Sequence, residues 1–214
     1  MHIEMLVEDS SGACLIECLL PKIIGPQHNP HTWRVHCYQG IGHLPKKMNS
    51  KHDPAKRVLL DRLPKILAGY GKTPGIDAVV IVVDSDHRDC AMFLNELKAV
   101  LTTCNPKLNP LFRLAIEEIE AWYLGDRLAL LEAYPKAKVK VLNGYQQDSV
   151  CGTWELLADA IYPGGVKSIK NKGWPQPGNV KHEWAQTIGP RMNINQNDSP
   201  SFNKFRDGIR RLVA

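Results

Sequence analysis

Three acidic side chains directly follow two predicted strands, and their spacing is typical of a metal site. Asp84 and Asp86 come after the aliphatic run Ala78 to Val83, and Glu8 follows the shorter run Ile3 to Val7. Alternate residues of an extended segment point the same way, so Asp84 and Asp86 can converge on one hard cation, which prefers oxygen ligands. These residues predict a Mg²⁺ or Mn²⁺ site. An ion held in this way can activate water and stabilise charge on a phosphoryl oxygen, which favours phosphodiester cleavage or transfer.

A second acidic group follows the fourth predicted strand, in the segment AIEEIEAWYLGD. If that strand ends near Ile116 and a helix begins near Glu118, Glu117 and Glu120 can reach the same edge of the sheet. Glu117 is then a further candidate metal ligand, and Glu120 a candidate general acid or base. His87, directly after the paired aspartates, is the one histidine we consider catalytic, because it could reach a phosphate or a leaving group.

Several of these acids also have a simpler interpretation. Aspartate is favoured at helix starts, so Asp84 and Asp86 could cap the helix that follows. Glu117 and Glu118 could complement the dipole of the next helix. Capping does not account for two acids after one strand together with Glu8 after another. We therefore favour a metal site for the first group and leave both interpretations open for the second.

The basic residues predict an anionic partner without establishing one. The chain of 214 residues has a formal net charge of +5 and a pI near 8.9, which is compatible with nucleic acid only if the cations are concentrated on one face. Trp174 and Trp184 could stack on bases, or they could be buried beneath a solvated lysine-rich loop. The candidate phosphate contacts are Lys46, Lys47, Lys51, Arg57, Arg88, Lys170, Lys172 and Lys181.

Several classes of protein are disfavoured by the sequence. The six cysteines lack the paired spacings of a zinc ribbon. The pair Gly71 and Lys72 lacks the preceding glycines of a P-loop. The N-terminus carries acidic residues rather than a basic leader, and no segment reaches the length of a membrane span. We therefore expect a cytoplasmic protein without membrane contact.

The elements that must position the acids alternate between strands and helices. Strands are predicted at 3–7, 33–38, 78–83 and 111–116, and helices at 12–24, 54–70, 90–104 and 120–133. This alternation predicts an α/β fold with a mainly parallel central sheet flanked by helices, in an order that the sequence does not reveal. Further helices are expected at 150–162, 182–188 and 200–213, with an irregular loop at 163–179. Residues 1–134 would form the α/β domain, and 135–214 a C-terminal helical extension packed on it.

Four segments of the chain resemble a known family. They are LVEDSSGACLIECLLPKII, VVIVVDSDHRD, AIEEIEAWYLGD and SPSFNKFRDGIRRL, and together they resemble domain-of-unknown-function family 4276 over nearly the whole chain. That family is similar to Toprim domains, the metal-binding fold of topoisomerases, primases and overcoming-lysogenization-defect nucleases. The resemblance implies a Toprim-like, Rossmann-like sheet.

The resemblance also implies roles for individual residues. Glu8 looks like the Toprim glutamate that serves as general acid or base, and Asp84 and Asp86 look like the pair that holds Mg²⁺. Glu120, with Trp122 and Asp126, matches an E-x-W-x-x-x-D signature of this group. The chain departs from the family at V-E-D-S-S-G, where members commonly read V-E-G with another acid soon after. Asp9 could replace or supplement that acid.

Three functions therefore follow as expectations. The first is a divalent-metal-dependent phosphoesterase, a nuclease acting on DNA or RNA in bacterial phage defence. The second is a non-catalytic interaction module that keeps the fold and partners an ATPase. The third is a sugar-nucleotide transferase, because two aspartates after a strand can also hold Mn²⁺ beneath a diphosphate. Glu8 is unnecessary in a transferase, which disfavours the third function.

Overall fold

The chain folds around one parallel sheet. The structure is a computed structural model, and it describes residues 1–44, 58–104, 108 and 110–214. Its four strands are all parallel, and helices flank the sheet. The predicted α/β class with a mainly parallel central sheet is therefore confirmed.

The strand order places the two acid-bearing strands side by side. The strands are β1 (His2–Val7), β2 (Thr32–Cys37), β3 (Ala78–Asp84) and β4 (Leu111–Ala115), in the order β2-β1-β3-β4. The aliphatic side chains of β3 are buried on both faces of the sheet. Because all the strands run the same way, their carboxyl ends share one edge, where parallel α/β sheets commonly bind ligands.

Helices cover both faces of the sheet. The first three are α1 (Ser10–Ile24), α2 (Leu59–Tyr70) and α3 (Cys90–Cys104). The α2 and α3 helices pack with Leu6, Val79 and Ile81 on one face, whereas α1 packs on the opposite face. Pro64 lies inside α2 without splitting it. The predicted start of this helix at residue 54 lies outside the described residues.

The rest of the described chain is helical and differs from the prediction in three places, one of which is an unpredicted helix at 139–143. Its elements are α4 (Glu120–Gly125), α5 (Arg127–Ala133), α6 (Val139–Asn143), α7 (Thr153–Ile161), α8 (Gly165–Lys170), α9 (Gln176–Ile188), a 3₁₀ turn (Gly189–Arg191) and α10 (Pro200–Val213). The helix predicted at 120–133 is broken at Asp126, whose side chain accepts a hydrogen bond from the N–H of Ala129 and so caps α5. The segment predicted as an irregular loop at 163–179 contains α8 and the start of α9.

The C-terminal helices share a hydrophobic core with the sheet. The Trp122 ring stacks on Phe205, with ring centroids 4.9 Å apart, and meets the edge of Phe202 at 5.6 Å. Ile3 and Val80 of the sheet belong to the same buried cluster. Residues on both sides of the predicted boundary at 134 therefore share one core, and the division into a domain and an extension stays a prediction. No helix in the described ranges is long and apolar enough to cross a membrane.

Candidate metal centre

The carboxyl edge of the sheet carries a group of three carboxylates, here named the acid cluster: Glu8, Asp84 and Glu120. Glu8 directly follows β1, Asp84 is the last residue of β3, and Glu120 is the first residue of α4. The backbone N–H of Asp84 donates a hydrogen bond of 3.2 Å to Oε2 of Glu8. The charges of Glu8 and Glu120 both act on Asp84. The fold therefore brings together three of the acids singled out from the sequence.

Burial disfavours the charged forms of these carboxylates. Burial raises the pKa of Glu8 to about 7; the N–H of Asp84 opposes this shift, whereas the charges of Asp86 and Asp9 reinforce it. Burial, followed by repulsion from Glu8 and Glu120, raises the pKa of Asp84 well above its usual range. Such shifts arise where like charges are held together in a poorly solvated place. The described residues around the acid cluster therefore supply too little positive charge to offset the burial and repulsion of its carboxylates.

One lysine only partly compensates for this deficit. Nζ of Lys181, on α9, lies 3.1 Å from Oε1 of Glu118 and 3.5 Å from Oε2 of Glu120. Burial still raises the pKa of Glu120 to about 7, although Lys181 opposes that shift. Burial would lower the pKa of Lys181, but the charges of Glu120, Glu118 and Asp84 outweigh it and raise that pKa above its ordinary value. In the structure this lysine pairs with acids, and its predicted contact with nucleic acid stays a prediction.

Two buried polar atoms, one in the acid cluster and one beside it, have no hydrogen-bond partner among the described residues. Glu120 is only 1% exposed, and its Oε1 has no hydrogen-bond partner among the described residues. The hydroxyl of Tyr123, three residues further along the chain, is buried and equally unpartnered within that part. Burial raises the pKa of Tyr123, and the charge of Glu120 adds to the shift. An unpaired buried carboxylate oxygen is rare and costly, and a bound cation would satisfy it.

The carboxylates of the acid cluster have the right chemistry for a hard divalent cation. Their present positions fit such an ion less well. Carboxylate oxygens are the ligands that Mg²⁺ and Mn²⁺ prefer, and Oε1 of Glu120 is available. Across the described ranges, however, no group of three or more His, Cys, Asp or Glu side chains is arranged to hold an ion. An ion would therefore have to draw the side chains of the acid cluster together.

Three polar residues that follow Asp84 and Ser85 have side chains that reach solvent: Asp86, His87 and Arg88. The Asp86 side chain is exposed and pairs with Arg88, with 3.4 Å between Oδ2 and Nη2. The Arg88 guanidinium also lies 4.5 Å from the ring centroid of Phe93. The His87 side chain is 82% exposed, and its Nδ1 lies 3.9 Å from Oε1 of Glu117. Asp86 acts on Glu8 through its charge. Its predicted role as a metal ligand stays a prediction, as do the predicted roles of His87 and Arg88.

Glu117, which was predicted to be a metal ligand, is held by hydrogen bonds to the residues at the start of α7. Its oxygens accept hydrogen bonds from the backbone N–H groups of Cys151, Gly152 and Thr153, and from the Thr153 hydroxyl. Burial would raise the pKa of Glu117, but these bonds outweigh burial and lower it. Glu117 therefore anchors the start of α7, and its predicted role as a metal ligand stays a prediction.

The remaining basic candidates lie in two regions. Lys46, Lys47, Lys51 and Arg57 lie outside the described residues. Lys170 pairs with Glu155 at 3.1 Å, and Nζ of Lys172 lies 3.2 Å from the Tyr162 hydroxyl. Of the two tryptophans considered for stacking, Trp174 is 87% exposed and Trp184 is buried in the core.

Sequence reasoning missed or misjudged three residues of the site. Glu118 was considered only as a first-turn acid, and Tyr123 was not considered at all. The helical spacing from Glu120 could have indicated Tyr123, because residues three apart share a face. Asp9, considered as an extra site acid, caps α1: its oxygens accept hydrogen bonds from the N–H of Gly12 at 2.7 Å and the hydroxyl of Ser11 at 2.8 Å.

The fold and the site together define an α/β protein with a buried acidic centre at the carboxyl edge of a parallel sheet. Comparisons of the chain with models of protein families, with curated proteins and with solved structures found no match.

Proposed function

We propose that this chain is a Mg²⁺- or Mn²⁺-dependent phosphoesterase, a nuclease whose acid cluster holds the ion. The observation that carries the proposal is the buried Oε1 of Glu120, which has no partner in the described part of the chain although two further acids and one lysine lie around it. A divalent cation would satisfy this oxygen and relieve the repulsion within the cluster. The family resemblance adds phage defence as the biological setting.

The residues of the acid cluster divide the work between them. The bound ion would supply charge neutralisation at a phosphoryl oxygen and activation of water. Asp84 and Glu120 would hold it. Oε2 of Glu8 accepts the N–H of Asp84, which leaves Oε1 to exchange a proton. Burial raises the pKa of Glu8 to about 7, near the value that suits a general acid or base at neutral pH.

An aromatic and basic surface adjoins the cluster and supports nucleic acid as the substrate. Nζ of Lys170 lies 5.3 Å from the ring centroid of Trp154, and Nζ of Lys181 lies 5.5 Å from the same centroid. Trp174, a few residues beyond α8, is exposed and available to stack on a base. A strand bound along this surface would bring its phosphates toward Lys181 and the acid cluster.

Cleavage of plasmid DNA, single-stranded DNA and RNA tests the proposal directly. With Mg²⁺ or Mn²⁺ we expect one of these substrates to be cut, and Asp84→Asn to lower the rate by about 100-fold or more. Asp89→Asn is the matched control, because Asp89 is an exposed carboxylate near the same edge. Equal rates in the two variants, or no cleavage by the wild type, would contradict the proposal.

The second candidate is a non-catalytic interaction module that partners an ATPase. The absence of a ready-made metal arrangement in the described ranges favours it. A chain that binds no divalent ion, cuts no nucleic acid and co-purifies with an ATPase would support this candidate over the first.

A further inference from the structure

A cavity of about 400 Å³ lies along β4, between α3 and α10. We name it the β4 cavity. Its apolar wall includes Ala91 and Leu94 of α3, with Leu114 and Ile116 at the end of β4. Its basic wall consists of Arg113, Lys204 and Arg211. The volume is in the range of small-molecule sites, and no residue of the acid cluster lines it.

No described residue forms an ion pair with the three cations of the β4 cavity. Within the described part of the chain, none of Arg113, Lys204 and Arg211 forms an ion pair. The lining acid Asp148 is already engaged, because its oxygens accept hydrogen bonds from the Ser199 hydroxyl at 2.7 Å and the Ser201 N–H at 2.6 Å. The described lining therefore holds three cations and one carboxylate, and that carboxylate forms no ion pair with the basic wall.

Arg113 is fixed in place and partly buried. Its Nε donates to the carbonyl oxygen of Lys204 at 2.8 Å, and its Nη1 donates to the carbonyl oxygen of Phe112 at 2.7 Å. The guanidinium lies against Gly208 of α10, where any Cβ would collide with it. Burial lowers the pKa of Arg113, and the like charge of Arg211 adds to the shift. A rigid guanidinium beside a second arginine is a typical anion contact.

The rest of the lining favours an apolar body for the ligand. The Ser201 hydroxyl accepts a hydrogen bond from Nε1 of Trp122 at 3.0 Å, so it is committed to the core. The Asp148 carboxylate accepts hydrogen bonds from Ser199 and Ser201. Polar groups that could recognise the edge of a base are therefore already paired, whereas the aliphatic wall offers contact area to a hydrocarbon chain or ring.

We propose that the β4 cavity binds an amphipathic organic anion, with its carboxylate or phosphate head on the three cations and its apolar body against the aliphatic wall. The site is separate from the proposed metal centre. Its occupancy does not depend on phosphoester cleavage, so the two proposals can fail independently.

Isothermal titration calorimetry with four probes tests the binding of the anionic head and the binding of the apolar body separately. Decanoate and decyl phosphate carry head and body, inorganic phosphate carries the head alone, and 1-decanol carries the body alone. We expect saturable binding of at least one amphipathic anion, with both partial probes weaker by about tenfold or more. The stronger of the two anions distinguishes a carboxylate ligand from a phosphate ligand.

Matched variants locate the binding. Lys204 and Arg211 are exposed, so the double variant Lys204→Met with Arg211→Met should fold and should weaken anion binding by about tenfold. Arg210→Met removes one positive charge from the same helix outside the cavity, where Arg210 bonds to Asn195 Oδ1 at 3.0 Å, and should leave binding within about twofold. Ala91→Trp should fill the cavity and abolish binding.

Three outcomes would overturn the proposal. The first is an absence of saturable binding of either amphipathic anion to the wild type. The second is equal binding of 1-decanol and decanoate, since the cations would then play no part. The third is an Ala91→Trp variant with a wild-type melting temperature and wild-type affinity, since the ligand would then lie elsewhere.

Discussion

The carboxylates of the acid cluster lie in a buried environment that disfavours their ionised forms. This environment determines how the free energy of unfolding of the metal-free protein depends on pH. Burial raises the pKa of Glu120 to about 7 from the ordinary value of 4.5. Between these values the folded protein keeps a proton that the unfolded chain has already released. The free energy of unfolding should therefore fall as the pH rises through this window.

Glu120→Gln should remove part of this pH dependence. Relative to the variant, the wild type should lose about 1 to 3 kcal/mol of stability between pH 5 and pH 8, because only the wild type must ionise a buried carboxyl there. Urea denaturation of both proteins across that range, with divalent ions removed, measures the difference. Parallel stability curves would show that Glu120 is not held in a destabilising environment.

Glu117 behaves in the opposite way. Its hydrogen bonds to the start of α7 lower its pKa, so they stabilise the fold above the ordinary glutamate pKa of 4.5, and this stabilisation is lost as the pH falls through the folded value. At pH 7 we expect Glu117→Gln to cost about 2 to 4 kcal/mol, because an amide cannot accept all of these bonds. Glu155→Gln, which removes an exposed pair with Lys170, should cost less than about 1 kcal/mol. Equal losses in urea denaturation would contradict the anchor role.

The sequence predicted the identity of the cluster better than the roles of its neighbours. Glu8 and Asp84 follow directly from the strand pattern, because parallel strands share a carboxyl edge. No local pattern indicates the φ of 57° at Glu117 or its hydrogen bonds to Cys151 and Thr153, which lie 34 and 36 residues further along the chain. Lys181 lies 61 residues from Glu120 along the chain, and only the packing of α9 brings the two together.

Among the helices and strands, strongly apolar elements were predictable and short ones were not. The strand predicted at 78–83 is observed as Ala78–Asp84, and the helix predicted at 90–104 is observed with the same bounds. In contrast, α8 was predicted as loop, because six residues beginning with glycine carry little periodic signal. Such a helix is stabilised by tertiary contacts more than by its own propensity.

Asp126 ends one helix and begins the next, and its removal should be costly. One oxygen caps α5 through Ala129, and the other accepts the N–H of Asn193 at 2.5 Å. We expect Asp126→Ala to destabilise the fold by about 2 to 3 kcal/mol, because it removes a buried cap and orphans a second donor.

The control for this prediction is a second aspartate at a helix start. The side chain of Asp89 accepts the N–H of Met92, at 2.8 Å, in an exposed position near the start of α3. Asp89→Ala should cost about 1 kcal/mol or less. A comparable loss in both variants under urea denaturation would show that Asp126 acts as an ordinary cap.

At the scale of the whole molecule, the helices beyond residue 134 complete the core of the α/β part. Trp122 packs against Phe202 and Phe205 of α10, and α9 packs against α1. A fragment of residues 1–134 would expose these surfaces. We expect it to show no cooperative thermal transition by circular dichroism and poorly dispersed amide resonances. A cooperative transition would instead identify residues 1–134 as an independent domain.

The central claim is that the acid cluster is a divalent-cation site, and Mn²⁺ titration tests it most directly. At pH 7.5, electron paramagnetic resonance should show saturable Mn²⁺ binding that weakens at pH 6, because protons compete for carboxylates with a pKa of about 7. Asp84→Asn should weaken binding by about tenfold or more, whereas Asp89→Asn should leave it unchanged. Wild-type protein that binds no Mn²⁺, or equal affinity in the two variants, would contradict the claim.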